Sequence, residues 1–180
     1  MNAGPDGAKA EPPGIGRWLL RTVGTAVILT LLTIILVGPN VPLDKGAWAP
    51  PTTGKTLTGE DFHLSAWRGR VVVVNVWATW CPPCLEELPE FAEVARGQPD
   101  VAFVALAADS PLEHVQALAA RLQLPFAVVA IDGATQKAWN ATALPSTYIV
   151  DREGRVAWST RGAIHGHELE AALRSVGAIP

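Results

Sequence analysis

Two cysteines three residues apart, Cys81 and Cys84, stand where a buried strand gives way to a helix. This junction constrains the fold more than any other feature of the chain. Val71 to Trp77 is an apolar, β-branched run, the pattern of a strand buried on both faces. Pro82 to Arg96 then places Leu85, Leu88, Phe91, Ala92 and Ala95 at helical spacing, with Pro89 expected to kink the helix.

The first cysteine of such a pair falls at a helix N-terminus, where unpaired N–H groups and the helix dipole favour its thiolate. The thiolate is the attacking species in disulfide exchange. The second lies one turn on, close enough to resolve a mixed disulfide. Cys81 is therefore read as the nucleophile and Cys84 as the resolving thiol. The competing readings are a structural disulfide, which would close too short a loop to constrain much of the unfolded chain, and half of a metal site. Structural zinc needs about four ligands, and His63, His114, His165 and His167 offer no second pair at finger-like spacing. With only two cysteines in 180 residues, a disulfide framework is excluded. The Pro82-Pro83 dipeptide removes two N–H groups from the helix start, which weakens thiolate stabilisation and favours a reductant.

Downstream, strands and helices alternate. Strands are expected at Val101–Ala107 and Phe126–Ile131, with a helix at Pro111–Leu122 capped by Asp109 or Ser110 and a short helix at Ala134–Ala141. A hairpin is expected from Ser146–Asp151 and Arg155–Ser159, and a closing helix at Gly166–Val176. Upstream, Lys55–Leu57 and Phe62–Leu64 suit a short hairpin, and Trp67 to Arg70 a turn. The pattern implies an α/β fold with a mixed central sheet flanked by helices.

The N-terminal third reads differently. Residues 1–16 form a Gly-, Pro- and Ala-rich tail, expected to be disordered and cytoplasmic. Residues 17–38 read as one N-terminal transmembrane helix. Trp18 to Gly38 would span about 31 Å, Arg21 can snorkel, and Trp18 suits the interface. Three basic residues against two acidic ones in positions 1–38 give that segment +1. Since the whole chain carries −3, the rest carries −4. The basic flank precedes the helix, so the remainder is expected outside the cytoplasm. Cleavage as a signal peptide is the rival, and Gly38-Pro39-Asn40-Val41-Pro42 is a poor site for it. Residues 39–54, with four prolines, read as a linker, and 55–180 as the folded domain. The acidic balance gives no case for nucleic-acid binding.

The segment Arg68-Gly69-Arg70-Val71-Val72-Val73-Val74-Asn75-Val76-Trp77-Ala78-Thr79-Trp80-Cys81-Pro82-Pro83-Cys84, followed by Glu87-Leu88-Pro89, is similar to a known family. So is Ala143-Leu144-Pro145-Ser146-Thr147-Tyr148-Ile149-Val150-Asp151 with Gly154. Over residues 55–176 the chain resembles the thioredoxin fold, in its TlpA/ResA-like branch of membrane-anchored bacterial thiol–disulfide oxidoreductases. The resemblance implies that Leu144-Pro145 forms the cis-proline loop, packed beside the cysteines and offering backbone groups to a substrate. It implies that Trp80 supplies apolar surface around the sulfur, and that Glu87 is an acid–base group near the thiols. Glu87's competing reading is a solvated surface glutamate like Glu86. Asn75 stands where thioredoxin itself carries a buried aspartate, and it cannot accept a proton in that way. The three later histidines are expected at the surface without a role.

The implied activity is thiol–disulfide exchange through Cys81 and Cys84, without cofactor or resident metal. The substrates would be disulfides of exported proteins, such as apocytochrome c before haem attachment, with re-reduction by a membrane electron donor. The catalytic domain would lie on the periplasmic side of the cytoplasmic membrane. Alternatives are a metal-handling protein for copper-site assembly, using the same cysteines as soft ligands, and a disulfide oxidase or isomerase.

Overall fold

The computed structural model describes residues 22–29 and 43–180. Residues 22–29 are helical, with Val23, Val27, Ile28 and Leu29 exposed. Among the described residues no helix is long and apolar enough to cross a membrane. The rest of the expected anchor at 17–38, and the expected tail at 1–16, lie outside the described residues.

The expected linker is folded from residue 43 onward, which moves the domain boundary upstream of 55. Gly46 N–H donates to Val156 O (2.8 Å), Ala49 N–H to Gly154 O (3.0 Å), and Trp48 bridges Arg155. Arg155 also stacks 3.8 Å above the Trp48 ring. Thr52 is 2% exposed; its Oγ1 accepts the Trp139 indole N–H at 2.8 Å and donates to Pro50 O at 3.0 Å. Proline density signalled a linker, but these backbone groups are paired and the side chains are in contact, so the segment is not free to swing.

β1 (Thr53–Lys55) pairs antiparallel with β2 (Asp61–His63), the first strand two residues and the second one residue earlier than in the expected hairpin. A single 3-10 turn follows at Leu64–Trp67, where only a turn at 67–70 was expected. β3 (Val72–Trp77) leads to α1 (Pro82–Gly97), β4 (Ala102–Ala108), α2 (Leu112–Leu122), β5 (Ala127–Ile131), α3 (Gly133–Ala138), β6 (Ser146–Val150), β7 (Val156–Arg161) and α4 (Gly166–Ser175). The main sheet runs β5-β4-β3-β6-β7. β3, β4 and β5 are parallel, and β6 and β7 are antiparallel.

Period-two alternation splits the strands between two cores. Val72, Val74 and Val76 face the side covered by Phe62, Leu64, Trp139 and Tyr148. Val73 faces Phe91 and Val94 of α1 with Leu169 and Leu173 of α4, and Trp77 faces Leu88 of α1 with Val115 and Leu118 of α2. Asn75, between Val73 and Trp77, therefore points to the α1 side. α2 has Pro111 at its N-cap position and no side-chain cap, so neither Asp109 nor Ser110 caps it as expected. The Ser110 hydroxyl is engaged elsewhere: it donates to Ala108 O and accepts the Thr79 N–H at 3.0 Å, tying the end of β4 to the loop before Cys81. α3 stops earlier than expected because Trp139 turns into the core and Asn140 takes a left-handed conformation.

Candidate active site

β3 ends at Trp77, and Ala78 to Trp80 turn the chain so that Cys81 becomes the N-cap of α1, with Pro82 and Pro83 at the first two helical positions. Proline tolerates these positions because the N–H groups there have no intrahelical partner. The cost falls on the sulfur. Neither proline has an N–H, and those of Cys84 and Leu85 both go to Cys81 O, at 3.1 and 3.2 Å. The first turn of α1 thus holds no free N–H that would favour a Cys81 thiolate.

Cys81 and Cys84 are joined in a disulfide with Cα atoms 5.3 Å apart. Cys84 is fully buried among Trp77, Leu88 and Val115, and the partly buried Leu144 packs on the same cluster. The Leu144–Pro145 peptide bond is cis. Packing on the cluster that contains both cysteines, Leu144 brings the β6 approach loop to them. Pro145 O accepts the Gly162 N–H at 2.8 Å, linking that loop to the one after β7. Trp80 is 59% exposed, and its indole N–H is pinned to Asp109 O at 2.7 Å. Beside it a groove of about 400 Å³ runs between α1 and α2, lined by Thr79, Trp80, Leu85, His114, Leu118 and Arg121 among others.

Glu87 lies three residues after Cys84 on the inward face of α1 and is only 2% exposed. Its surface reading fails, while Glu86 is exposed. Asn75 Nδ2 donates to Glu87 Oε1 at 2.7 Å and to Thr147 Oγ1 at 3.1 Å, and the Ile164 N–H donates to Glu87 Oε2 at 3.2 Å. Burial pushes the Glu87 carboxyl up to about 7 against these two hydrogen bonds, which favour the charged form, and Glu90 adds a smaller upward push. Residues at i and i+3 of a helix have Cβ atoms about 5–6 Å apart. Glu87 is thus a buried carboxyl, poised to exchange a proton near neutrality, one turn from the buried sulfur of Cys84.

Thr147 and Ile164 carried no signal of their own in the sequence, and Ser110 signalled only a helix cap. Thr147 reaches Asn75 because it is its register partner between β3 and β6. His165 and His167 are exposed as expected, and their rings stack on each other. His165 has a partner nonetheless, Glu90. Among the described residues no group of three or more His, Cys, Asp or Glu is placed to share a metal ion.

Residues 44–173 match the family model described as Redoxin. The thiol-disulfide oxidoreductase ResA of Geobacillus kaustophilus is 32% identical over 163 residues, covering 84% of this chain and 93% of that protein. The thioredoxin-like protein YneN of Bacillus subtilis is 31% identical, over 74% of this chain and 81% of its own. Among solved structures, a DsbE-type thiol:disulfide interchange protein of Chlorobium tepidum superposes with a TM-score of 0.69 at 26% identity, covering 74% and 98%. The MTB dsbF structure, in mixed oxidised and reduced forms, gives 0.66 at 30% identity, covering 70% and 95%.

Proposed function

The chain belongs to the redoxin family, as a TlpA/ResA-like thiol–disulfide oxidoreductase of the thioredoxin superfamily, and we propose that it works as a reductant of disulfides in exported proteins. The observation that carries the direction is the first turn of α1. Two prolines and two engaged N–H groups leave the Cys81 sulfur without the donors that would hold it as a thiolate. A dithiol less stabilised in this way gives up its electrons more readily.

In the reduced enzyme Cys81, as thiolate, attacks one sulfur of the substrate disulfide. A Cys81–substrate disulfide forms, and the substrate's other sulfur leaves as a thiolate. Cys84 then loses its proton to the Glu87 carboxylate and attacks the Cys81 sulfur. The Cys81–Cys84 disulfide forms, the second substrate thiolate leaves, and both substrate thiolates take up protons. Two electrons have passed from dithiol to substrate, leaving the enzyme oxidised, with the cysteines bonded as they are here. Leu144 packs on the cysteine cluster, the cis Leu144–Pro145 loop it belongs to would receive a substrate strand, and Trp80 offers an exposed ring at the same end of the fold.

The apolar run from Trp18 to Gly38, with its basic flank, supports an uncleaved anchor that places the domain on the periplasmic side of the bacterial cytoplasmic membrane. A membrane electron donor would restore the dithiol by the same exchange run in reverse. Apocytochrome c awaiting haem is the substrate the family resemblance favours. The reduction potential of the Cys81–Cys84 couple tests the direction. A value below about −220 mV is expected, and one above about −180 mV would overturn the reductant assignment. Full activity in Cys81→Ala would sink the exchange mechanism itself.

A further inference from the structure

The loop between β7 and α4 is held against α1 by two glutamates one turn apart. Glu87 Oε2 accepts the Ile164 N–H at 3.2 Å. Glu90 Oε2 accepts the Gly166 N–H at 2.5 Å, and Glu90 Oε1 meets His165 Nδ1 at 3.0 Å. The far side is tied as well, because the His165 N–H donates to Glu168 Oε2 at 2.8 Å. Gly166 is bare where it meets the helix. A Cβ there would come within 3.3 Å of Val94 Cγ2 and 3.5 Å of Glu90 Cβ, so α4 starts close enough to α1 that a side chain at this position would need Val94 to give way slightly.

The two oxygens of Glu87 are not equivalent. Oε1 faces the Asn75 amide, which donates to a charged carboxylate and to a neutral carboxyl alike. Reversing that amide would put its two N–H donors where Oδ1 now finds no partner. The proton of a neutral Glu87 therefore belongs on Oε2, which as a hydroxyl oxygen accepts the Ile164 N–H more weakly than a carboxylate oxygen does. A seated loop opposes protonation of Glu87, and a released loop permits it.

We propose that Glu90 is a positioning residue for the thiol–disulfide reaction: through His165 and Gly166 it keeps loop residues 162–165 seated, so that Ile164 sets how tightly Glu87 holds the proton it takes from Cys84. The inference rests on the proton-acceptor reading of Glu87 given above. The groups facing Glu87 are the cysteine pair and Glu90 on its own helix, Asn75 from β3, Thr147 from β6 and the Ile164 N–H from the loop. His165, His167 and Glu168, at the start of α4, act on Glu90 or the loop. The Gly166 N–H and then His165 hold the Glu90 carboxyl below the usual carboxylate range, while Glu90 pulls the His165 ring up. Glu90 therefore stays charged while Glu87 titrates.

The two ways in which Glu90 acts on Glu87 have opposite signs, which makes the test decisive. Its negative charge raises the proton affinity of Glu87; its hold on the loop lowers it by keeping Ile164 in place. The Glu87 carboxyl is titrated by 13C NMR in the oxidised full-length chain, its resonance identified by its loss in Glu87→Gln. In Glu90→Ala the midpoint is expected to rise by about one pH unit, a tenfold gain in proton affinity. In His165→Ala, which leaves the carboxylate charge in place, it should rise by less. Glu93→Ala, on the exposed side of α1, should leave it unmoved. A fall in Glu90→Ala would mean that charge alone acts, and an unchanged midpoint would mean that the hold on the loop does no more than offset that charge; either overturns the proposal. Should Glu90→Ala fail to fold, His165→Ala decides, with an unchanged or lower midpoint as refutation. The readout needs no substrate, so it stands even if the reduction potential refutes the reductant assignment.

Discussion

Replacing Glu87 with glutamine should change how stability depends on pH, with a magnitude that follows from burial. The carboxyl lies 2% exposed, and its pKa is lifted from an ordinary 4.5 to about 7. Because the folded value is the higher one, the folded state binds the proton more tightly than the unfolded chain. The associated stability is fully present below pH 4.5, falls as the pH rises, and is gone once the pH passes about 7. At 1.36 kcal/mol per pH unit, the interval from 4.5 to about 7 corresponds to about 3 kcal/mol. Glutamine keeps an oxygen for Asn75 and has no proton to lose, so its contribution is flat. Urea unfolding of the oxidised protein and of Glu87→Gln at pH 4, 6 and 8 measures the difference. Titrations common to both, such as that of His165, cancel. The wild type should lose about 3 kcal/mol relative to the variant between pH 4 and pH 8. Profiles that stay parallel to within about 1 kcal/mol would refute a buried Glu87 carboxyl that ionises near neutrality.

Asn75→Leu removes the donor on Glu87 Oε1 and the bond to Thr147; it should push the Glu87 titration further up and cost about 1–3 kcal/mol at pH 8, read by NMR and urea unfolding. Thr52→Val leaves the Trp139 indole N–H buried without its acceptor, for a loss of about 1–3 kcal/mol in denaturant midpoint analysis; no change would mean residues 43–52 behave as a free linker after all. Cys84→Ala retains the attacking sulfur without the resolving one, so a disulfide-bonded adduct with a protein substrate should accumulate on non-reducing gels, and its absence would contradict the order of attack.

The junction at Cys81 was readable because its causes are local. An apolar β-branched run makes a buried strand wherever it sits, a proline pair suits the first turn of a helix, and two cysteines at i and i+3 share one helix face. Residues 43–54 were misread for the complementary reason. Their prolines signal a linker, while their partners, Val156, Gly154 and Trp139, are more than 80 residues away. The α2 cap was misjudged because Ser110 is a good capping residue that the structure uses instead to hold Thr79.

By itself, the sequence determined the strand-to-helix junction and the cysteine pair, since these depend on spacing along one stretch of chain. The tertiary structure decided what surrounds the pair. Glu86 and Glu87 are the same residue type at adjacent positions, but the helix turns about 100° between them, and only the packing of α1 on β3 puts one in water and the other against Asn75. Thr147 and Ile164 complete that network from 72 and 77 residues along the chain, through strand register and a loop that no local pattern could have placed.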